Sequence, residues 1–159
     1  MSNMIYVTVT GTKQGLISSG CSSYESIGNK YQTSHRDQIL VMSMEHGVTR
    51  AQNVNHGPLS FIKLIDKSSP LLGVAISNNE ELDMKFDIFR TSFSGTNELY
   101  YSITLRKVYL SALSIVYPHA IDHSGDQPEE MVSVNYESIT WEHHIAGTSG
   151  YSFWEERIY

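Results

Sequence analysis

At 159 residues, with 40% hydrophobic and 18% charged side chains, the chain has the length and composition of one folded domain and not of a disordered segment. Its formal charge of -6 and its scattered basic residues exclude a phosphate-binding groove of clustered Lys and Arg, so no nucleic-acid partner is expected. Cys21 is the one cysteine, which excludes an intrachain disulfide, and with no basic neighbour in sequence it is not expected to be a reactive thiol.

Met1 to Thr10 lacks a basic leader, and Ile5, Val7 and Val9 fall on one face, so this segment predicts a strand and not a signal peptide. Thr10 to Gly15 reads as a turn. Gln38 to His46 is more uniformly apolar, as expected of a strand covered on both faces, and Gly47 to Gly57 reads as a loop. Leu59 to Asp66 follows as a strand with less clean alternation. A short helix is expected over Pro70 to Ser77, because Ser69 can cap a free backbone N–H while Pro70 has no donor to orphan. Asn78 and Asn79 tolerate the left-handed conformation that would end it.

Leu82, Met84, Phe86 and Ile88 alternate with charged residues, and Leu99, Tyr101, Ile103 and Leu105 repeat the pattern. Val108 to Tyr117 gives another strand, Pro118 to Glu130 a second loop, and Met131 to His143 the last long strand. In that strand Val132, Val134 and Tyr136 share one face, whereas Ile139 and Trp141 load the other. The change predicts a bulge, or a strand flanked by protein on both sides. Together these elements predict a mainly β fold, one β-barrel or sandwich domain over residues 1–159 with a single short α-helix. No apolar run approaches the roughly 20 residues of a spanning helix, so membrane insertion is not expected.

Catalytic and metal chemistry find little support. His119 and His123 are four apart but lie in a loop with no third ligand, and His143 and His144 point to opposite faces of a strand. Asp122, Asp126, Glu129 and Glu130 do not match a calcium loop and read as a solvated acidic segment. No nucleophile elbow or Gly-rich phosphate loop occurs, so no catalytic residue, metal or cofactor is expected. Ten tyrosines and two tryptophans instead suit protein contacts, with Tyr100, Tyr109, Tyr151 and Trp154 as candidates.

Three blocks, in order, resemble the Hcp family, the haemolysin-coregulated inner-tube proteins of the bacterial type VI secretion system. They are Leu59 to Leu72, running from a strand into the helix; Phe89-Arg90-Thr91 with Tyr101 to Leu105; and Ile139 to His143 followed by Ala146 to Gly150. Ile5 to Gly11 and Lys13 to Ile17 agree as well.

The resemblance implies a β-barrel that assembles as a homo-hexameric ring, with rings stacking into a hollow tube that a contracting sheath expels. Sheath, spike and effector proteins are the implied partners. The chain would be made in the cytoplasm and secreted without a cleavable signal peptide. It also places an inter-subunit or inter-ring contact at the loop of Gly47 to Gly57, which makes Thr49, Arg50, Gln52, Asn53 and Asn55 interface candidates. Ile139, Trp141 and Trp154 are expected at a subunit boundary, and Ser102 and Thr104 toward the lumen. No C-terminal toxin extension is expected. The rival expectations are a small secreted enzyme or toxin, and a jelly-roll-like ligand-binding domain.

Overall fold

In a computed structural model of the chain, which describes residues 3–155, strand β1 (Met4–Gly11) buries Val7 and Val9 on the face its alternation predicts. Met1 and Ser2 of the expected first strand, and residues 156–159 of the expected domain, lie outside the described residues. Tyr6, on the opposite face of β1, is also buried, because it stacks on His35 with ring centroids 3.9 Å apart. The remaining elements are β2 (Gly15–Leu16), α1 (Tyr24–Ile27), β3 (Ile39–Glu45), β4 (Val48–Arg50), β5 (Val54–His56), β6 (Leu59–Leu64), α2 (Ser69–Ser77), β7 (Leu82–Thr91), β8 (Asn97–Val116), β9 (Glu129–Asn135), β10 (Ser138–His143) and β11 (Thr148–Phe153).

The strands pair antiparallel in the order β8-β7-β1-β3-β6-β9, and β9 pairs back onto β8, which closes a six-stranded barrel. β10 and β11 extend the sheet outward from β8, and β2 adds to β1. Inside lie Val7, Val9, Ile39, Leu59, Phe61, Phe86, Leu105, Val108, Val132 and Val134, and Leu72 and Ala75 of α2 join them. The mainly β barrel therefore forms as expected, with a second helix, the single turn α1, that the sequence reading did not anticipate.

Two expected strands, Leu99 to Leu105 and Val108 to Tyr117, are one. β8 runs for 20 residues and passes through Lys107 in the left-handed region, with φ of 49°. This kink shifts the alternation, so that both Leu105 and Val108 reach the core. The opposite happens to the run from Met131 to His143, which is two strands. β9 pairs with the second half of β8 (Tyr109 opposite Asn135) and β10 with the first half (Arg106 opposite Ser138). Between these registers Lys107 faces Glu137, and the two form an ion pair at 3.1 Å. Both strands thus change face at the same place: Leu110 and Val108 give way to Leu105 and Ile103, just as Val134 and Tyr136 give way to Ile139. The reversal at Ile139 is a paired kink of the barrel wall, and its own barrel leaves Ile139 no exposed surface. The assignment of Ile139 to a subunit boundary is therefore corrected.

Helix α2 begins one residue earlier than expected, and Ser69 does not cap it. Ser69 Oγ instead accepts the Asp66 N–H and a proton from Lys63 Nζ, at 3.1 and 3.0 Å. Of the two terminal asparagines, Asn79 adopts the left-handed conformation (φ 49°) and Asn78 does not (φ -97°). Residues 47–57, expected as a loop, fold into the β4–β5 hairpin, which forms its own two-stranded sheet.

The acidic segment also needs correction. Glu129 and Glu130 belong to β9, and Glu130 is fully buried against Lys63, whose side chain follows Leu59 and Phe61 into the barrel. Lys63 Nζ lies 2.6 Å from Glu130 Oε1 and 3.0 Å from Asp66 Oδ1. Neither carboxylate oxygen of Glu130 has a well-directed hydrogen bond, so proximity to Lys63 is what holds its charge. Cys21 lies in the same region, and burial followed by the Asp66 charge pushes its thiol up to about 11, which leaves it unreactive at neutral pH.

Candidate functional site

The surfaces that a closed barrel leaves unsatisfied are the hairpin and the outer edge. In the hairpin, Thr49 pairs with Asn55 and Arg50 with Val54, while Gly57 N–H donates to Gly47 O at 2.9 Å and shuts the base. A Cβ at Gly57 would approach Gly47 O to 2.9 Å, so the closure requires glycine there. Thr49, Arg50, Gln52 and Asn55 are exposed and Asn53 is half-buried. Short polar strands pack nothing of their own, so the hairpin depends on its anchor.

That anchor is a chain of aromatic and polar groups. His46 Nε2 and His56 Nδ1 both lie 2.7 Å from Tyr136 Oη, and His56 Nε2 lies 2.9 Å from Ser152 Oγ. Trp154 stacks beside His56 at 5.9 Å and meets Tyr136 edge-on at 5.0 Å. The anchor therefore joins the hairpin to the β9–β10 corner and to the end of β11. Burial lowers the pKa of both imidazoles, aided at His46 by the neighbouring His56 and opposed at His56 by a hydrogen bond to the Phe153 backbone. Burial raises the Tyr136 phenol.

β11 is the outermost strand of the extended sheet, with Tyr151 and Phe153 exposed on it in an edge-to-face pair at 5.7 Å. Behind it opens a groove of about 850 Å³ lined by Tyr109, Phe153 and Trp154 among acidic Glu81, Glu137 and Glu155. A second exposed apolar set, Ile115, Val116, Tyr117 and Ile121, lies where β8 turns toward β9.

Not every expected contact residue is free. Trp141 and Trp154 are half-buried and pack against their own core, and Trp154 serves the anchor. Tyr100 is half-buried beneath the Arg90 guanidinium at 4.6 Å. Thr104 is half-exposed, on the face of β8 turned away from the core. Ser102 shares that face but is buried, so it presents no surface to a lumen and that assignment is corrected.

Ser102 belongs to a polar network that sequence spacing could not reveal. Its hydroxyl donates to Asp87 Oδ1 at 2.9 Å and lies 2.8 Å from His144 Nε2, and His144 Nδ1 is 3.5 Å from Glu142. The composition is that of a hydrolytic triad, but the proton arrangement is not. The serine gives its one proton to Asp87, so His144 must donate to it, and a buried Oγ cannot meet a substrate. No three metal-ligating side chains gather among the described residues, and His119 and His123 instead each pair with an aspartate in their turn.

Residues 6–143 match the family model described as type VI secretion system effector, Hcp. The chain is 35% identical to a Pseudomonas aeruginosa protein named major exported protein, over 99% of both chains. It is 43% identical to the Escherichia coli K12 protein YhhZ over 93% of its own length, but spans only 37% of that longer protein. Among solved structures, secreted protein Hcp3 from Pseudomonas aeruginosa superposes with a TM-score of 0.88 at 36% identity, covering 98% of this chain and 100% of the other.

Proposed function

The chain belongs to the Hcp family of the type VI secretion system, and we propose that it is a structural subunit of the secretion tube, six copies closing into a ring and rings stacking end to end. In this reading the chain acts as a secreted tube component of that system and not as an enzyme. Effectors carried in the lumen, and contacts to sheath and spike, belong to the same proposal, with Thr104 as a candidate lumen residue.

The observation that carries this reading is a barrel whose own strands are closed but which still presents a free aromatic edge, Tyr151 and Phe153 of β11, and a projecting polar hairpin. Free strand edges invite pairing with another chain. A head-to-tail contact between two different surfaces closes into a ring when its rotation divides a full turn, and such closure limits growth. The edge and the hairpin differ in chemistry, as such a contact requires. Thr49, Arg50, Gln52, Asn53 and Asn55 would then supply polar, reversible contacts to the next subunit or ring.

Particle mass in solution tests the proposal directly: six times the monomer mass is expected, and a monomer at every concentration would defeat it. A sharper expectation concerns the hairpin. Arg50→Glu combined with Thr49→Ala and Gln52→Ala should weaken ring formation or stacking by about tenfold or more in concentration, since truncating a few central contacts costs more than about 1 kcal/mol. Thermal unfolding of the isolated barrel should be unchanged, because these side chains lie outside the core. Assembly that matches the unaltered chain by light scattering would remove the hairpin from the interface.

A further inference from the structure

We propose that His46, Tyr136 and His56 form an acid-sensitive latch, which holds the β4–β5 hairpin against the barrel at neutral pH and releases it when both imidazoles are protonated. Proton counting across the cluster carries the argument. A phenol has one proton to give and can accept at its lone pairs. With both rings neutral, Tyr136 donates to one imidazole and accepts from the other, and Ser152 completes His56 on its far side.

One added proton is tolerated. If His56 becomes the cation, its two N–H groups donate to Tyr136 and Ser152, and Tyr136 still donates to His46. A second proton is not. Both rings then press an N–H on the same phenol oxygen, the Tyr136 proton loses its acceptor, and two cations stand on either side of one oxygen at 2.7 Å each.

Among the described residues no carboxylate forms an ion pair with His46 or His56 to offset that charge. The charged groups nearest in sequence or across the groove are Glu45 beside His46, Glu137 beside Tyr136, Glu155 beside Trp154, and Glu81 and Lys107, with the Tyr109 phenol. Farther along the same elements lie Arg50 of β4, Glu129 of β9, Glu130 of β9 on Lys63, and Glu142 of β10 beside His144. Glu137 is engaged by Lys107 and Glu81 by Tyr109, and among the described residues none of these acids pairs with either imidazole. Burial adds to the effect, since only 4% of His56 is exposed. Both histidines therefore have folded-state pKa values below their unfolded ones. A depressed group contributes stability that is complete above the unfolded value, near 6.5, and is lost as pH falls through the folded one. The two rings titrate as a coupled pair.

Because the hairpin is also the proposed assembly contact, the latch makes ring stability fall in acid, and this last step rests on the tube reading. The test follows histidine NMR signals and backbone hydrogen exchange of residues 46–57 in the full chain from about pH 8 to about pH 5. The expected result is that His46 and His56 titrate below the ordinary histidine value of about 6.5. Hairpin protection, corrected for intrinsic rates, should then drop by about tenfold or more across that lower transition.

Two variants separate the latch from general acid loss. Tyr136→Phe should loosen the hairpin already at neutral pH. His46→Gln should keep it protected in acid, because an amide can pair with the phenol at any pH and the remaining single proton is tolerated. Titration of both histidines at or above the ordinary value of about 6.5, protection independent of pH, or the same acid loss in His46→Gln would each overturn the latch. Hairpin release that follows the prediction in a chain that stays monomeric would leave the latch standing and defeat the tube reading alone.

Discussion

Lys63→Met is expected to destabilise the barrel by roughly 3–5 kcal/mol, the usual cost of removing one partner from a buried ion pair. Lys63 has no exposed surface, Glu130 has none, and the side chain of Asp66 is 98% covered. Methionine fills much of the lysine stem's volume, so packing changes little. What remains is two carboxylates with no cation, one of them without a directed hydrogen bond. Urea unfolding at fixed protein concentration should show the midpoint fall with the slope unchanged. Lys63→Met with Glu130→Gln and Asp66→Asn should recover much of the loss, because the penalty belongs to the orphaned charges and not to the missing lysine. If Lys63→Met alone stays within about 0.5 kcal/mol of the unaltered chain, the cluster is not held by charge.

That cluster also shows where sequence reading reaches its limit. Strands are legible because their side chains repeat every two residues, and β1, β7 and the halves of β8 are found where alternation places them. A lysine at an alternate position looks the same in the sequence whether it faces solvent or a carboxylate 67 residues away. Only the register of Lys63 against Glu130 across β6 and β9 separates the two cases. The same holds for the hairpin anchor, whose partners lie 90, 80 and 96 positions apart. The three-residue strands β4 and β5 carry too few side chains to alternate visibly among polar neighbours, so they read as a loop. Alternation correctly turns Ser102 away from the core, but it cannot show that Asp87 and His144 cover that face. The family, by contrast, was legible because its matching blocks are spread along the chain and kept in order.

Ile139→Ala separates barrel from assembly, and it is expected to act on the barrel. Ile139 sits opposite Leu105 on β8 and opposite Ser152 on β11, just past the kink where Lys107 faces Glu137. Its side chain is fully covered within one chain, so truncation opens a cavity in the core and should cost roughly 2–5 kcal/mol of barrel stability. Tyr151→Ala should behave in the opposite way. That residue lies two positions upstream of Phe153 on the same outer strand and is 71% exposed, so its loss should leave unfolding within about 0.5 kcal/mol while weakening assembly. The comparison depends on the order of the two effects and not on their size. Urea midpoints and particle mass, measured on both variants, should move in separate columns: the first for Ile139→Ala, the second for Tyr151→Ala. An Ile139→Ala protein that unfolds normally but no longer forms rings would mean that this strand meets a neighbour after all, and that the paired kink does not explain why its apolar face reverses.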